Sequence, residues 1–168
     1  MPDANRQPGN TGPTASRPHI PEYGIPESEE GMLPWDYVVE RLEQSPNYWV
    51  CTTRPDGRPH AVPVWGVYVD GTLYVSGGAQ VRWVRNLEQN RAIAVHLEDG
   101  TQAVIVEGVA DRLTAESIDS SLLKRIGDAY QAKYETGFGL PVWAVRPRLV
   151  LAWTNFPADT TRWVFVRD

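Results

Sequence analysis

Residues 48–87 read YWVCTTRPDGRPHAVPVWGVYVDGTLYVSGGAQVRWVRNL, three β-rich runs followed by a glycine pair and a helical pattern. Tyr48 to Thr53 are strand formers, and Arg54-Pro55-Asp56-Gly57 is a strong turn signal. A second strand is predicted from about Arg58 to Val69, and Asp70-Gly71 turns the chain into a third over Thr72 to Ser76. Together they make an antiparallel meander. Pro59 and Pro63 cannot donate ladder hydrogen bonds, so the second strand is expected at an edge, bulged, or turned toward a ligand. Ser76-Gly77-Gly78 then leads into a helix over about 80–89, with Val81, Val84 and Leu87 as packing residues. A strand running through glycines into a helix start offers backbone N–H groups to an anion. Arg82 adds a cation with fork geometry suited to phosphate, so a phosphorylated cofactor is expected here. Arg85 is read as part of a solvated face.

Toward the N-terminus, Pro34 opens a short helix whose Trp35, Val38, Val39 and Leu42 share one face, and Ser45-Pro46-Asn47 closes it. Residues 1–31 are rich in Pro, Gly, Ser, Asn and acidic side chains, with almost no apolar periodicity. Such a segment cannot bury enough surface to offset its ordering entropy. It is predicted to be a flexible arm, or a strap that orders only on a partner subunit. Toward the C-terminus, strands are predicted over 91–97 and 102–113, Gly108 marking a bulge or a close backbone approach. A helix from Thr114 to about Tyr134 carries the stripe Leu122, Leu123, Ile126 and Tyr130. A strand over 142–153 contains Pro147, where it bends or meets an edge, and a last short strand covers 162–166. The whole reads as mostly β (α+β), a small antiparallel Greek-key barrel with peripheral helices over residues 32–168.

The formal net charge of -5 and the lack of a basic stripe argue against nucleic acid as a partner. Cys51 is the single cysteine and is read as a packed core thiol. His60 and His96 fall in different strands and form no readable pair, so no metal is expected. No apolar run approaches the ~20 residues of a membrane span, and a cytoplasmic protein is the default expectation. Seven Trp and seven Tyr supply flat surfaces, of which Trp65, Trp153 and Trp163 are first of all core or subunit-contact candidates. No serine nucleophile elbow, phosphate-binding Walker loop or paired catalytic acids appear.

The run from Tyr48-Trp49 through Arg54-Pro55-Asp56-Gly57-Arg58-Pro59 and Pro63-Val64-Trp65-Gly66 to Ser76, Arg82 and Arg85-Asn86-Leu87 resembles the pyridoxamine 5'-phosphate oxidase-like superfamily. Val95-His96-Leu97-Glu98, Glu107-Gly108, Trp153 and Thr161-Arg162-Trp163 continue the match over roughly 33–166. The resemblance is to the FMN-binding split β-barrel group and its actinobacterial flavin and deazaflavin oxidoreductases. It implies a six-stranded antiparallel split barrel, a side-by-side homodimer, and a flavin ring in the cleft between subunits. By position it assigns cofactor contacts to Arg58, His60, Val62 and Val64 on the second strand, to Ser76 and Gly77 on the third, and to Arg82, with Trp153 and Arg162 from the tail. Glu107-Gly108 would lie at the subunit contact.

Three residues depart from the family pattern. The family commonly has Thr at Gly77, a small polar residue at Val81 and Lys at Trp83. Each lost phosphate partner is worth about 1–3 kcal/mol for a charge-assisted bond. Weaker FMN affinity, another phosphate pose, or a different flavin-like ligand follows, with Trp83 as a stacking plate. The tail reads Arg162-Trp163-Val164, without the histidine of the genuine oxidases, which argues against vitamin B6 oxidation. The implied function is hydride transfer from FMN, or from the deazaflavin coenzyme F-420, to a small unsaturated or oxidised substrate. The alternative is a non-catalytic protein sequestering a flavin or haem-like ligand.

Overall fold

The computed structural model describes residues 12–166, which form nine strands and three helices. The order is β1 (Thr14–Ser16), α1 (Trp35–Gln44), β2 (Tyr48–Thr53), β3 (Pro59–Val64), β4 (Gly66–Val69), β5 (Thr72–Ser76), α2 (Arg82–Gln89), β6 (Ala92–His96), β7 (Val104–Leu113), α3 (Ser120–Tyr134), β8 (Val142–Ala152) and β9 (Thr161–Val164). All pairings are antiparallel. One path runs β1-β9-β8-β7-β6-β2-β3, and a side branch carries β4 on β5 and β5 on β8. The mostly β class holds, with more strands than the six expected.

The predicted second strand is in fact two. β3 pairs only β2, whereas β4 turns away to pair β5, so the expected three-strand meander is broken at Trp65. Both prolines fall on β3, the edge of the path, where a missing donor costs nothing. Gly66 allows the switch: a Cβ there would lie 2.8 Å from the Tyr74 carbonyl oxygen and 3.2 Å from the Tyr48 ring.

β8 divides the sheet. Its first half, from Val142 to Val145, is flanked by β5 and β7, and its second half, from Leu149 to Ala152, by β7 and β9. The register slips between Glu107 and Gly108, where Gly108 faces Pro147. A side chain at Gly108 would collide with the Arg146 carbonyl oxygen. Both sequence signals therefore meet at one bulge. The close approach is to the chain's own β8.

The main core gathers Val50, Val75, Val95, Val106, Val150, Trp143 and Trp163 from the sheet with Val38 and Leu42 of α1 and Val84 and Leu87 of α2. A second cluster lies under α3, where Ile126 and Tyr130 meet Val67, Tyr74, Val142 and Ala144. α2 starts two residues later than predicted, with Val81 at its cap, so Val81 is exposed and Trp83 takes the buried position. α3 starts at Ser120, because the Asp119 side chain accepts the Leu122 N–H at 2.9 Å; Thr114 and Ser117 close a separate turn before it. Cys51 is no core residue: on β2 it alternates with the buried Val50 and Thr52, is half-buried on the outer face, and burial raises its thiol pKa.

The expected arm is partly ordered on its own chain. β1 pairs β9, and the Arg17 guanidinium donates to four main-chain carbonyls: Ser28 at 2.8 Å, Glu30 at 2.6 Å, Ala158 at 3.0 Å and Thr160 at 3.0 Å. Composition hides this, because one guanidinium fork supplies the ordering that apolar burial does not. Residues 1–11 of the arm lie outside the described residues. No described helix is long and apolar enough to cross a membrane.

Candidate functional site

Thr52 on β2 faces His60 on β3 across the hairpin. The Thr52 hydroxyl accepts the Asn86 Nδ2–H at 3.0 Å, and this buried bond pins α2 onto β2. Arg82 lies one helical turn before Asn86, on the same helix face. Pinning Asn86 therefore brings Arg82 beside β3. At the other end of the hairpin, the turn closes with Arg54 N–H to the Arg58 carbonyl and Gly57 N–H to the Arg54 carbonyl, both 2.9 Å. Arg54 is left beside the same strand.

The charges of both guanidiniums are felt at His60. Its pKa is lowered, first by burial and then by the charges of Arg54 and Arg82. Among the described residues no carboxylate forms an ion pair with Arg54 or Arg82. The N-cap of α2 is Val81, whose side chain caps nothing, so the first N–H groups of the helix have no side-chain acceptor. Arg54, Arg82, His60 and the start of α2 together make a candidate anion cradle, with Asp56 also within the field of Arg54.

Other expected contacts fall elsewhere. Arg58 folds back on Asp56, with Nε at 2.9 Å and Nη2 at 2.8 Å from the carboxylate, and is exposed. Val62 and Val64 alternate with exposed residues and pack against the core side. The Ser76 hydroxyl donates to the Gly139 carbonyl at 2.5 Å. Trp83 is not a stacking plate: it is 5% exposed, and its indole lies against Gly77, where a Cβ would sit 2.5 Å from Cζ2. The reason is the helix phase, which turns position 83 inward. The departures at 77 and 83 are thus one packing event. Trp153 stacks edge-to-face on Phe156 at 5.2 Å, and Arg162 Nε and Nη2 donate to Ser16 Oγ at 3.2 and 3.1 Å. Arg162 lies on β9, between β1 and β8, where Ser16 of β1 takes up its guanidinium.

An aromatic ladder, unread as a unit in the sequence, joins the β3–β4 break to α3. Trp65 is 53% exposed and stacks on Tyr134 at 4.6 Å with planes 6° apart. The Tyr130 hydroxyl donates to the Trp65 carbonyl at 3.4 Å, and Phe138 stacks on Tyr130 at 5.1 Å, next to the Gly139 that holds Ser76. The signals available were the Pro63-Val64-Trp65-Gly66 break and two tyrosines four apart on α3. Across the outer face of β2, β6 and β7 runs an open groove of about 450 Å³, lined by Cys51, Thr53, Pro59, Ala94, Glu107 and Leu149 among others.

A family model described as pyridoxamine 5'-phosphate oxidase matches residues 35–154. The chain belongs to this family. That span includes β2 to β8 and so holds the whole cradle. No curated protein matches the chain. Solved structures show the shared fold. The conserved hypothetical protein Rv2991 from Mycobacterium tuberculosis is 20% identical, covers 73% of this chain and 85% of its own, and superposes with a TM-score of 0.62. An FAD binding protein from Mycobacterium smegmatis is 19% identical over 80% of this chain and 98% of its own, TM-score 0.53. An F420 reductase is 21% identical over 66% and 94%, TM-score 0.50. Proteins of this fold that bind flavin-type cofactors are therefore among those similar to this family member.

Proposed function

We propose that this protein is an oxidoreductase that binds FMN or a deazaflavin coenzyme in the cradle and works as a cytoplasmic homodimer. The observation that carries the reading is that Arg54 and Arg82, neither in an ion pair among the described residues, both act on His60, with Arg82 in the uncapped first turn of α2. In a chain of net charge -5, two cations near an uncapped helix start make a local site that favours an anion. The residues present fit a phosphorylated cofactor. Arg82 and Arg54 would hold its phosphate with the first N–H groups of α2, and His60 would add a third donor when protonated.

When bound, the cofactor supplies hydride transfer, the chemistry for which the chain has no group of its own. The protein's part is to position it. Trp65, backed by Tyr134, offers an open aromatic face suited to a flat ring. Residues 32–168 form the cofactor-binding unit, and a second copy would cover the outer sheet face around Cys51, Ala94 and Leu149. Trp153 and Arg162 would then serve the neighbouring subunit's ligand. A small unsaturated or oxidised compound is the hydride acceptor.

The test is a fluorescence titration with FMN and with F420, in parallel with anaerobic turnover. Arg82→Ala is expected to weaken binding about 10- to 100-fold, the loss of one charge-assisted bond to phosphate. Wild-type protein that binds neither cofactor, or an Arg82→Ala variant that binds as well as wild type, would refute the assignment. Tight binding without substrate-dependent reoxidation would favour sequestration over catalysis.

A further inference from the structure

Of the chain's sixteen Lys and Arg residues only two are Lys, at 124 and 133. Lys124 is an ordinary surface cation, 2.6 Å from Asp128 one turn on, with both side chains exposed. Lys133 is placed quite differently. Near the end of α3, its Nζ donates to the Tyr48 hydroxyl at 2.6 Å and to the Gly66 carbonyl at 3.2 Å. It lies 4.6 Å from the centre of the Tyr48 ring and 5.4 Å from that of Tyr134. Among the described residues no carboxylate pairs with it. An open groove of about 320 Å³ adjoins it, walled by Glu43 of α1, Val67 and Tyr68 of β4, and Ala129 and Ala132 of α3.

The chain uses Arg almost everywhere else, and Arg would provide more donors in such a cage. What Lys alone offers is an amine that can lose its proton. A neutral amine has two N–H bonds and a lone pair. Two acceptors face Lys133, Tyr48 Oη and the Gly66 carbonyl. Tyr48 Oη can accept because its own proton goes to the Leu42 carbonyl. The third position on the nitrogen is taken by no described acceptor and adjoins the open groove. The Tyr48 and Tyr134 rings favour the cation, whereas burial opposes it and lowers the Lys133 pKa to about 8. The titratable groups around it are Tyr48, Tyr134, Tyr68 and Glu43, the last the one carboxyl group on the groove wall.

We propose that Lys133 is a nucleophilic amine that captures small carbonyl compounds covalently, as an imine, in the groove between α1, β4 and α3. The amine lone pair attacks the carbonyl carbon and forms the C–N bond, and a proton passes from nitrogen to oxygen to give a carbinolamine. Loss of the hydroxyl together with the second nitrogen proton releases one water and leaves the C=N bond. No oxidant or reductant is needed. The small side chains of Val67, Ala129 and Ala132 favour a short aliphatic aldehyde or ketone. This site stands apart from the cradle and does not depend on cofactor binding.

The test is reductive trapping of the full-length protein with acetaldehyde and cyanoborohydride at pH 7, followed site by site by peptide mass spectrometry. Lys124 is the internal reference. At that pH a pKa near 8 raises the free-amine fraction on the order of 100-fold over an ordinary lysine, offset in part by lower intrinsic nucleophilicity. Lys133 is expected to label at least tenfold faster than Lys124, with a rate that levels off near pH 8. In urea the two rates should converge. Lys133→Arg should abolish the fast phase and leave Lys124 labelling unchanged. Labelling of folded Lys133 no faster than Lys124, or a fast rate that persists in urea, overturns the proposal; the first result would leave Lys133 as a pin joining α3 to β2.

Discussion

Replacing Gly77 by Ala is the sharpest probe of how the cradle's floor is built. The backbone φ at Gly77 is not in the positive region, so Ala should gain roughly 0.4–1 kcal/mol by reducing unfolded-state entropy. Against this stands the indole of Trp83. The new methyl would lie 2.5 Å from Cζ2, 3.0 Å from Cε2 and 3.2 Å from Val84 Cγ2. Trp83 is buried in the main core and cannot swing into solvent, so the overlap should cost about 1–3 kcal/mol. The steric cost outweighs the entropic gain. A net loss of about 1–2 kcal/mol should lower the melting temperature by roughly 2–8 °C for a chain of this size. Trp83→Leu shortens the side chain and by itself should cost at most the ~3–5 kcal/mol of a full truncation. In that background Gly77→Ala should become neutral or stabilising, giving a favourable coupling of about 1–3 kcal/mol in a double-mutant cycle. Urea unfolding of the four proteins measures it. Additive effects, or a Gly77→Ala protein as stable as wild type, would refute the packing argument.

Two further outcomes follow from the same geometry. His60 holds a lowered pKa in the folded protein, so the unfolded chain binds more protons between that value and about 6.5. Stability should fall as pH drops through this window, and His60→Gln should flatten the dependence in chemical denaturation at pH 5 to 7. A bound phosphate would favour the protonated imidazole and raise the same pKa, so affinity for FMN should be a few-fold tighter at pH 6.5 than at pH 8; equal affinities at both would exclude His60 from the ligand's surroundings. Gly108→Ala should destabilise by at least about 3 kcal/mol, because its methyl meets the Arg146 carbonyl across a bulge with no room to give, and a midpoint shift below about 1 kcal/mol would contradict it.

Much of this architecture is written in local signals. Gly108 and Pro147 each announce a ladder irregularity, and they turn out to be register partners. Pro59 and Pro63 mark the edge strand. What the sequence hides is decided by small offsets. A helix starting at Arg82 instead of 80 exchanges the roles of Val81 and Trp83, which removes the expected stacking plate. Strand parity sends Cys51 to the outer face. The Arg54–His60–Arg82 grouping joins a turn, a strand and a helix through their charges, and only Arg82 and His60 carried a readable signal. Arg58 was the natural candidate by position, but Asp56 two residues away captures it. Lys133 is invisible to periodicity, since its setting comes from Tyr48, far away in the chain.

The long strand β8 belongs at once to the neighbours β5 and β9 through its two halves, and it contributes Val150 to one apolar cluster and Val142 to the other. Neither half of the molecule can therefore melt while the other stays intact, since each would strip a wall from its sibling. Denaturation should proceed as a single step reported identically by tryptophan emission and backbone circular dichroism, and the least protected amide hydrogens should be those of edge strand β3.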